Sequence, residues 1–410
     1  MTIEIRTVRP DELRTYLDTA LTAFLERPAD LDAIVADVAG MWDLRRTWAA
    51  FEDGRPCGTF RSWSTELTVP GGRTVPGAAV AGVTVLPTHR RRGILRDMVG
   101  AEHAAARERG EVVGLLYASE YPIYGRFGYG MAVRQATWTL DTRTTAFHGE
   151  PAGTVELAAP DDTTRDALIG VFEAWRRMQP GEIRRRDFSW DFDLALRPEP
   201  WGDAWKGFVA LHRDPNGAVD GYARYSPESH WERRQPRSRL RIDELHALTD
   251  AAYADLWRFL ATVDLVATLR AERRSPSERL PWLLANARAA AVEDVGDGLW
   301  VRLLDVPGAL AARTYAGEGR IVLEVIDPEV AGGRLRVALD ASPDGARCTP
   351  TADAPDLTVR VDALGAAYLG GPRLRDAIRA GGAEEHRAGT LAHVDRLFRT
   401  PDEPWCSTFF

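Results

Sequence analysis

Alternating apolar and polar positions predict the first strands and the first helix of the chain. Residues 3–8 alternate and predict a strand, and Pro10 then introduces the amphipathic stretch 11–25, which predicts a helix. Residues 53–54 are Asp-Gly between two strand-like runs, which is a hairpin signal. Residues 67–85 continue through turns into a further apolar strand, so these elements together predict an antiparallel meander.

A second helix and a buried strand follow the meander. Residues 94–109 predict a helix that stops at the following glycine. Four small or apolar residues fall near one face of it: Ile94, Met98, Ala101 and Ala105. The largely apolar run 111–119 predicts a strand buried on both faces. A turn rich in glycine and tyrosine, 120–130, then leads into an alternating strand at 134–141.

Length and breaks in the pattern divide the chain into three segments. A chain of 410 residues exceeds what one core ordinarily organises. The stretch 148–154, which reads HGEPAGT, interrupts the strand and helix signals. We predict domains at 1–150, 151–292 and 293–410, in an α/β fold with mixed sheets. The second segment loosely repeats the order strand, hairpin, strand and helix, without a direct sequence repeat.

Composition and charge narrow the classes of partner. The hydrophobic fraction of 45% and the charged fraction of 27% are typical of a globular protein. A net charge of −8 disfavours nucleic acid as the main partner, because that affinity rests on cationic contacts to phosphate, and it suits a small cationic substrate. The sequence has no apolar leader and no run of about 18 apolar residues. We therefore expect a cytoplasmic protein with no membrane partner. The widely spaced cysteines, Cys57, Cys348 and Cys406, indicate neither a disulfide framework nor a zinc cluster.

Three arginines and a glycine stand between the apolar strand and the helix. Arg90-Arg91-Arg92-Gly93 would supply positive charge and free N–H groups at a helix start, which is the chemistry of an anion site. A solvated basic helix start is the alternative, and the spacing alone leaves both interpretations open. For the neighbouring His89 we expect a surface or capping role.

The spacing Arg90-x-x-Gly93 after the fourth strand resembles the coenzyme A loop of the GNAT superfamily of N-acetyltransferases. Leu95 departs from the glycine or alanine that many members carry there. The stretches VTVLPTHRRRGILRDM and LYASEYPIYGRFGYG and the terminal STFF resemble the Eis (enhanced intracellular survival) family over the whole chain. This resemblance implies two acetyltransferase-like folds followed by a sterol-carrier-like domain, assembled as a homohexamer.

The resemblance also implies a binding site for acetyl-coenzyme A (acetyl-CoA), and acetyl transfer requires no metal. Val83 and Val85 would pair with the cofactor through their backbone, while the arginine stretch and Ile94 would hold the pyrophosphate. Ser119 could reach the pantetheine arm or simply close the strand end.

Two groups are implied for the chemistry. The family pattern IYGRFGYG places the general acid on its first tyrosine, here Tyr124, whose unperturbed pKa near 10 suits donation to a leaving thiolate. Tyr129 is then expected to be structural. The apolar tail PWCSTFF is predicted to dock, and the resemblance makes the α-carboxylate of Phe410 the base toward a substrate ammonium.

Four positions are candidates for an acidic, aromatic-lined amine pocket: Glu26, Trp42, Asp43 and Glu120. The alternative is that the three acids are solvated and Trp42 belongs to the core. Aminoglycosides, as in antibiotic resistance, and lysine ε-amines are both expected substrate classes. A non-catalytic protein that binds coenzyme A or an apolar ligand is the alternative function.

Overall fold

The computed structural model describes residues 3–410, and it describes side chains in that range outside 377–379 and 383. The chain forms two compact units. The first contains the residues up to Val133, Leu299–Asp402 and Phe409–Phe410. The second contains Arg134–Gly298 and Glu403–Thr408.

The helices and strands have the following bounds. Up to Val133 they are β1 (Ile3–Thr7), α1 (Leu13–Phe24), α2 (Leu31–Ala39), β2 (Thr47–Glu52), β3 (Arg55–Thr68), β4 (Thr74–Val85), α3 (Ile94–Glu108), β5 (Val113–Tyr117), α4 (Tyr121–Tyr124) and β6 (Gly130–Met131). From Arg134 they are β7 (Arg134–Asp141), β8 (Thr154–Ala158), α5 (Asp162–Arg176), α6 (Asp187–Asp193), β9 (Phe208–Arg213), β10 (Val219–Glu228), β11 (Trp231–Glu232), β12 (Gln235–Pro236), β13 (Ser238–Ala247), α7 (Asp250–Ala261), β14 (Val266–Arg274) and β15 (Ala290–Asp297). From Leu299 they are β16 (Leu299–Leu303), α8 (Val306–Ala312), β17 (Gly319–Ile326), β18 (Arg334–Ser342), β19 (Gly345–Pro350), β20 (Leu357–Arg360), α9 (Val361–Ala367), α10 (Leu374–Ala377), β21 (Ala383–Glu385) and α11 (Thr390–Phe398).

The first sheet has seven strands in the order β1-β2-β3-β4-β5-β16-β6. β1 to β4 pair antiparallel in sequence order, which confirms the predicted meander. α3 then crosses to β5, which pairs parallel to β4. The first four residues of β5 are buried, as predicted for a strand covered on both faces.

Two strands join sheets that the sequence pattern did not indicate. Residues 299–303 lie in the segment predicted to begin at 293, yet β16 pairs with β5 and β6 in the first sheet. Residues 134–141 precede the boundary predicted at 150, yet β7 pairs with β14 and β15 in the second sheet. An apolar or alternating pattern predicts a strand but does not select its partner. The domain bounds themselves stay a prediction.

The buried face of α3 also differs from the prediction. Ala101 and Ala105 are only partly buried, whereas Glu102 and His103 are buried with Ile94. The two polar side chains tolerate burial because each has hydrogen-bond partners in the core. Apolar periodicity could not identify them.

The second sheet repeats the central connection of the first. Its order is β15-β7-β14-β13-β10-β9-β8, and α7 links the parallel pair β13 and β14 as α3 links β4 and β5. A third sheet, β19-β18-β17-β20-β21, packs with α8 to α11 in the first unit. No helix within the described residues is long and apolar enough to cross a bilayer.

Candidate active site

β4 extends beyond the end of its parallel pairing with β5. Its parallel pairing with β5 stops at Val80. On the other side, Leu86 N–H donates to the Cys57 carbonyl. Because successive residues of a strand bond to alternate sides, Val83 and Val85 direct their N–H groups toward the side where β5 no longer pairs. These are the two residues predicted to contact a cofactor through their backbone.

The loop after β4 presents backbone N–H groups at the start of α3. Gly93 precedes the helix at φ 83° and has no side chain to cap it. The N–H groups in the first turn of a helix have no partner within the helix, and the helix dipole favours an anion at this end. Arg91 also lies in the left-handed region, at φ 65°, which is uncommon for a residue with a side chain. This backbone geometry fits the predicted phosphate site.

The loop arginines differ in their surroundings. Arg92 Nη1 donates to Glu52 Oε1 at 2.8 Å, and the other Glu52 oxygen lies 2.8 Å from His89 Nε2. The hydrogen bond from His89, together with Arg92, lowers the pKa of Glu52. His89 is half-buried and bound to Glu52, rather than being the surface or capping residue that the sequence suggested. Arg90 and Arg91 are exposed to solvent, where an approaching phosphate would meet them.

Gly93→Ala is expected to weaken acetyl-CoA binding about tenfold, because a left-handed conformation costs a residue with a Cβ about 1–2 kcal/mol. The new Cβ would also lie 2.8 Å from Arg96 Nη2, which must move away. Isothermal titration calorimetry measures the affinity. Gly100→Ala is the matched control, since an added Cβ in the middle of α3 meets no atom within 4 Å among the described residues. Equal affinity in the two variants would contradict the assignment of the loop.

Tyr124 ends the short helix α4 and is only 5% exposed. It belongs to the same hydrophobic cluster as Val83, Val85 and Ile94. Burial, and after it the negative charge of Glu120, raises the pKa of Tyr124 to about 12. The ordinary pKa of a tyrosine side chain is near 10. In the structure Tyr124 is therefore a weaker acid that stays protonated throughout the physiological range.

A buried polar network that no sequence pattern indicated lies behind Tyr124. His103 Nε2 lies 3.0 Å from the Tyr129 hydroxyl, and His103 Nδ1 lies 2.8 Å from Glu329, 226 residues away in sequence. Burial lowers the pKa of His103. A neutral His103 that accepts from Tyr129 and donates to Glu329 satisfies both contacts. Although burial opposes ionisation, the His103 hydrogen bond and the Arg302 charge lower the pKa of Glu329 to about 2.

The last two residues of the chain pack at the end of β5. The Phe410 ring lies edge-on to Trp63 of β3, with centroids 5.0 Å apart, and 5.2 Å from Tyr117, the last residue of β5. Phe409 lies 4.9 Å from Tyr117 and is 62% exposed. The structure thus places the ring of the terminal residue beside the strand that leads to Tyr124.

Two of the predicted substrate residues already make local contacts. The Arg61 guanidinium lies over the Trp42 ring at 4.2 Å. Asp43 accepts from Arg45 N–H at 3.0 Å and from Arg45 Nε at 2.9 Å, and the side-chain bond lowers its pKa. Both side chains are half-buried and held by arginines, so Asp43 is not simply solvated and Trp42 is not a fully buried core residue. A role in substrate binding stays a prediction for both.

The other candidates are exposed. Glu26 follows the end of α1, and Ser119 and Glu120 lie between β5 and α4. Glu120 acts on Tyr124 through its charge, which contributes to the raised pKa of that tyrosine. The structure thus links Glu120 to the predicted acid. The backbone N–H of Glu26 donates to the Leu21 carbonyl at 2.8 Å, at the end of α1.

Comparison with known proteins identifies the family. Two models described as acetyltransferase (GNAT) domain match residues 4–132 and 181–303, and a sterol carrier protein domain matches 306–407. A protein of Streptomyces griseus subsp. griseus named "Uncharacterized N-acetyltransferase" is 41% identical over 422 residues, which cover all of both chains. N-acetyltransferase Eis of Mycobacterium tuberculosis is 39% identical over 346 residues, or 82% of this chain and 77% of the relative. The chain belongs to the Eis family of GNAT N-acetyltransferases.

Solved structures agree with this assignment. Eis1 from Mycobacterium abscessus matches with a TM-score of 0.86 at 34% identity, over 99% of this chain and 100% of that one. A GCN5-related N-acetyltransferase from Anabaena variabilis matches with a TM-score of 0.85 at 19% identity, which supports the fold alone. The predicted architecture of two acetyltransferase folds followed by a sterol-carrier-like domain is confirmed. The Eis-family chain is thus an N-acetyltransferase of a superfamily that uses acetyl-CoA.

The first acetyltransferase fold has features that fit acetyl-CoA. The free side of Val83 and Val85 can pair with an amide-bearing arm, and the uncapped start of α3 can accept phosphate oxygens. Acetyl-CoA would supply an activated thioester there. Among the side chains that the structure describes, no group of three or more His, Cys, Asp or Glu residues is placed to hold a metal ion.

Proposed function

We propose that the protein transfers the acetyl group of acetyl-CoA to a primary amine of an aminoglycoside-like or lysine-like substrate. Tyr124 serves as the general acid and the Phe410 α-carboxylate as the general base. The observation that carries this proposal is the docking of Phe410 against Tyr117 and Trp63, at the end of β5. β4 and β5 run parallel, so the arginine loop and the segment that carries Tyr124 both follow strands ending at the same edge of the sheet.

In this proposal the terminal carboxylate orients the substrate amine and removes its proton. Its ordinary pKa is about 3.5 and that of a lysine ammonium about 10.4, so the proton transfer is unfavourable unless the two groups are held together. Proximity supplies the compensation, because a fixed carboxylate favours the amine orientation in which its lone pair faces the thioester. The packed Phe410 ring provides that fixation.

Tyr124 would donate its proton to the departing thiolate. Its raised pKa of about 12 does not by itself favour donation. Burial disfavours every anion, however, so the thiolate that leaves beside Tyr124 also gains basicity. A neutral hydroxyl aimed at the sulfur then stabilises the charge as it develops.

The cofactor contacts in the proposal follow the geometry of the first domain. Val83 and Val85 pair through their backbone, and residues 90–94 hold the pyrophosphate. Ser119 lies within the segment after β5, where it could contact the pantetheine arm. Glu120 is the acid that we favour for attracting an ammonium, because its charge already reaches Tyr124.

Removing the negative charge of the terminal carboxylate is expected to lower kcat/KM for the amine about 100-fold. This is the lower end of the rate enhancement that a general base typically contributes. Ligation at Cys406 gives two proteins that differ only in the group at the C-terminus. Residues 1–405 can be ligated to a five-residue peptide that ends in either an acid or a carboxamide. Thiol release from acetyl-CoA is then measured with aminoglycosides, polyamines and a lysine peptide, which also ranks the substrate classes.

The ligated acid is the control for the ligation and for folding. Equal turnover by acid and carboxamide would remove the base role of Phe410. Acetyl-CoA binding without turnover on any amine would instead favour the alternative function, a protein that binds coenzyme A or an apolar ligand. Hexamer formation is part of the proposal, and light scattering that shows a monomer would contradict it.

A further inference from the structure

The tail residues before Phe409 are held inside the second unit. The carboxylate of Glu182, which is 0% exposed, binds two successive tail residues. Its Oε2 accepts from Ser407 N–H and from Ser407 Oγ, each at 2.7 Å, and its Oε1 accepts from Thr408 N–H at 3.4 Å. One buried carboxylate therefore fixes both the backbone and a side chain of the tail.

Arg185 donates hydrogen bonds to the side chains of the same two residues. Its Nε donates to Thr408 Oγ1 at 3.0 Å and its Nη2 to Ser407 Oγ at 3.3 Å. The guanidinium is itself held by an ion pair with Glu244 and lies 4.2 Å over the Phe172 ring. Arg185 is thus ordered by its own domain, which lowers the entropy cost of holding the tail.

Trp405 anchors the tail by its ring and by its backbone. Its N–H donates to the Pro180 carbonyl at 3.0 Å, and its indole N–H donates to the Arg273 carbonyl at 2.7 Å. The ring lies 5.1 Å from Trp175, and the Arg274 guanidinium is 4.4 Å from its centre. Such a buried, fully paired tryptophan resembles the anchor residue of a protein interface.

The tail lies at the place that corresponds to the cofactor cleft of the first domain. There the open end of the parallel pair β4 and β5 faces the proposed cofactor. In the second domain, Trp405 bonds to the end of β14, and Ser407 Oγ lies 3.4 Å from His246 near the end of β13. The start of α7 differs as well, because Thr249 caps it by accepting from Ala252 N–H at 3.1 Å.

We propose that the second acetyltransferase domain works as a clamp, in which Glu182 and Arg185 are positioning residues for the terminal carboxylate. The tail takes the place in this domain that a cofactor takes in the first. The inference rests on the proposed role of the Phe410 carboxylate as the base. Thr408 is the last clamped residue, and two further residues span at most about 7 Å, so fixing Thr408 limits where that carboxylate can lie.

Glu182→Gln and Ser407→Ala test the clamp. Each removes or weakens charge-assisted hydrogen bonds, so we expect kcat to fall about tenfold while KM for acetyl-CoA stays within about twofold. Independently of activity, a carboxypeptidase that prefers aromatic residues should release Phe410 about tenfold faster, as followed by mass spectrometry of the intact chain. Ser407→Thr keeps the hydroxyl and should recover most of both effects.

Glu156→Gln is the control, since Glu156 pairs with Arg213 on an exposed strand of the same domain. Unchanged release and unchanged kcat in both test variants would overturn the clamp. If Glu182→Gln loses its circular dichroism signal, Ser407→Ala decides, because it leaves Glu182 in place. If the test variants release Phe410 faster but the ligated carboxamide protein is fully active, the clamp is retained and the base role of Phe410 is rejected. If release of Phe410 is unchanged but the carboxamide protein is inactive, the base role is retained and the clamp is rejected.

Discussion

Tyr124→Phe is expected to lower kcat about 100-fold or more, since general acid catalysis contributes at least that much where the leaving group needs a proton. KM for acetyl-CoA should change little, because the ring that packs against the cluster of Val83, Val85 and Ile94 is retained. Steady-state kinetics with the best amine of the panel measures both constants. A loss confined to KM would instead make Tyr124 a binding residue.

The pH dependence gives a second test of the same residue. Because burial raises the pKa of Tyr124 to about 12, its protonated form is present at every pH below that value and is lost only as the pH rises through it. The wild-type rate should therefore rise as the amine deprotonates and show no decline below about pH 11, one unit under the tyrosine pKa. A decline near pH 9 that vanishes in Tyr124→Phe would contradict this assignment of the pKa.

Tyr121→Phe is the matched control for Tyr124→Phe. Tyr121 begins the same helix, is exposed, and packs its ring edge-on against Trp300 at 4.8 Å. Removing its hydroxyl should leave kcat within about twofold of wild type, as for most surface substitutions. An equal loss in both variants would point to α4 as a structural unit rather than to one hydroxyl.

Local sequence pattern predicted the elements near the site but not their partners. The meander, the end of α3 and the buried strand β5 follow from periodicity and from turn residues, which act over a few positions. The insertion of β16 beside β5 depends on a pairing between residues about 185 positions apart, which no local pattern specifies. The roles of Tyr124 and Phe410 were predicted from the resemblance to the Eis family, because the spacing of residues alone does not identify an acid or a base.

Buried polar residues were the hardest to foresee. Nothing in the local pattern marks His103 or Glu182 as buried, because glutamate is rarely buried unless it is paired and histidine is found both inside and outside proteins. Each is buried because a distant partner satisfies it: Glu329 for His103, and the tail residue Ser407 for Glu182. The apolar character of PWCSTFF predicted that the tail would dock, whereas the polar residues that hold it in the second unit gave no signal.

Asp327→Ala is expected to lower the free energy of unfolding by about 3–5 kcal/mol, the cost of breaking a buried ion pair by removing one of its partners. Arg302 is 0% exposed, and its Nη2 lies 2.7 Å from both oxygens of Asp327, which is itself 1% exposed. Arg302 belongs to β16 in the first sheet, and Asp327 directly follows β17 of the third, so the pair ties the sterol-carrier-like domain to the first acetyltransferase domain within one unit. Urea unfolding followed by tryptophan fluorescence measures the change. Asp340→Ala, which removes an exposed partner of Arg320 in the same domain, should cost about 1 kcal/mol or less.

The double variant Arg302→Met/Asp327→Ala separates two causes of that loss. In Asp327→Ala the Arg302 guanidinium keeps, among the described residues, only its 3.4 Å contact to Glu329 as an ion pair. If the cost comes from this poorly compensated charge, replacing the arginine as well should restore part of the stability, because an apolar side chain of similar size needs no partner. If the cost comes from lost packing around Asp327, the double variant should be at least as unstable as Asp327→Ala. Recovery is the expected result, because one carboxylate receives both of its 2.7 Å contacts from this guanidinium in a core that excludes water. The sum of the two single effects would then exceed the effect of the double variant, which is the signature of a coupled pair.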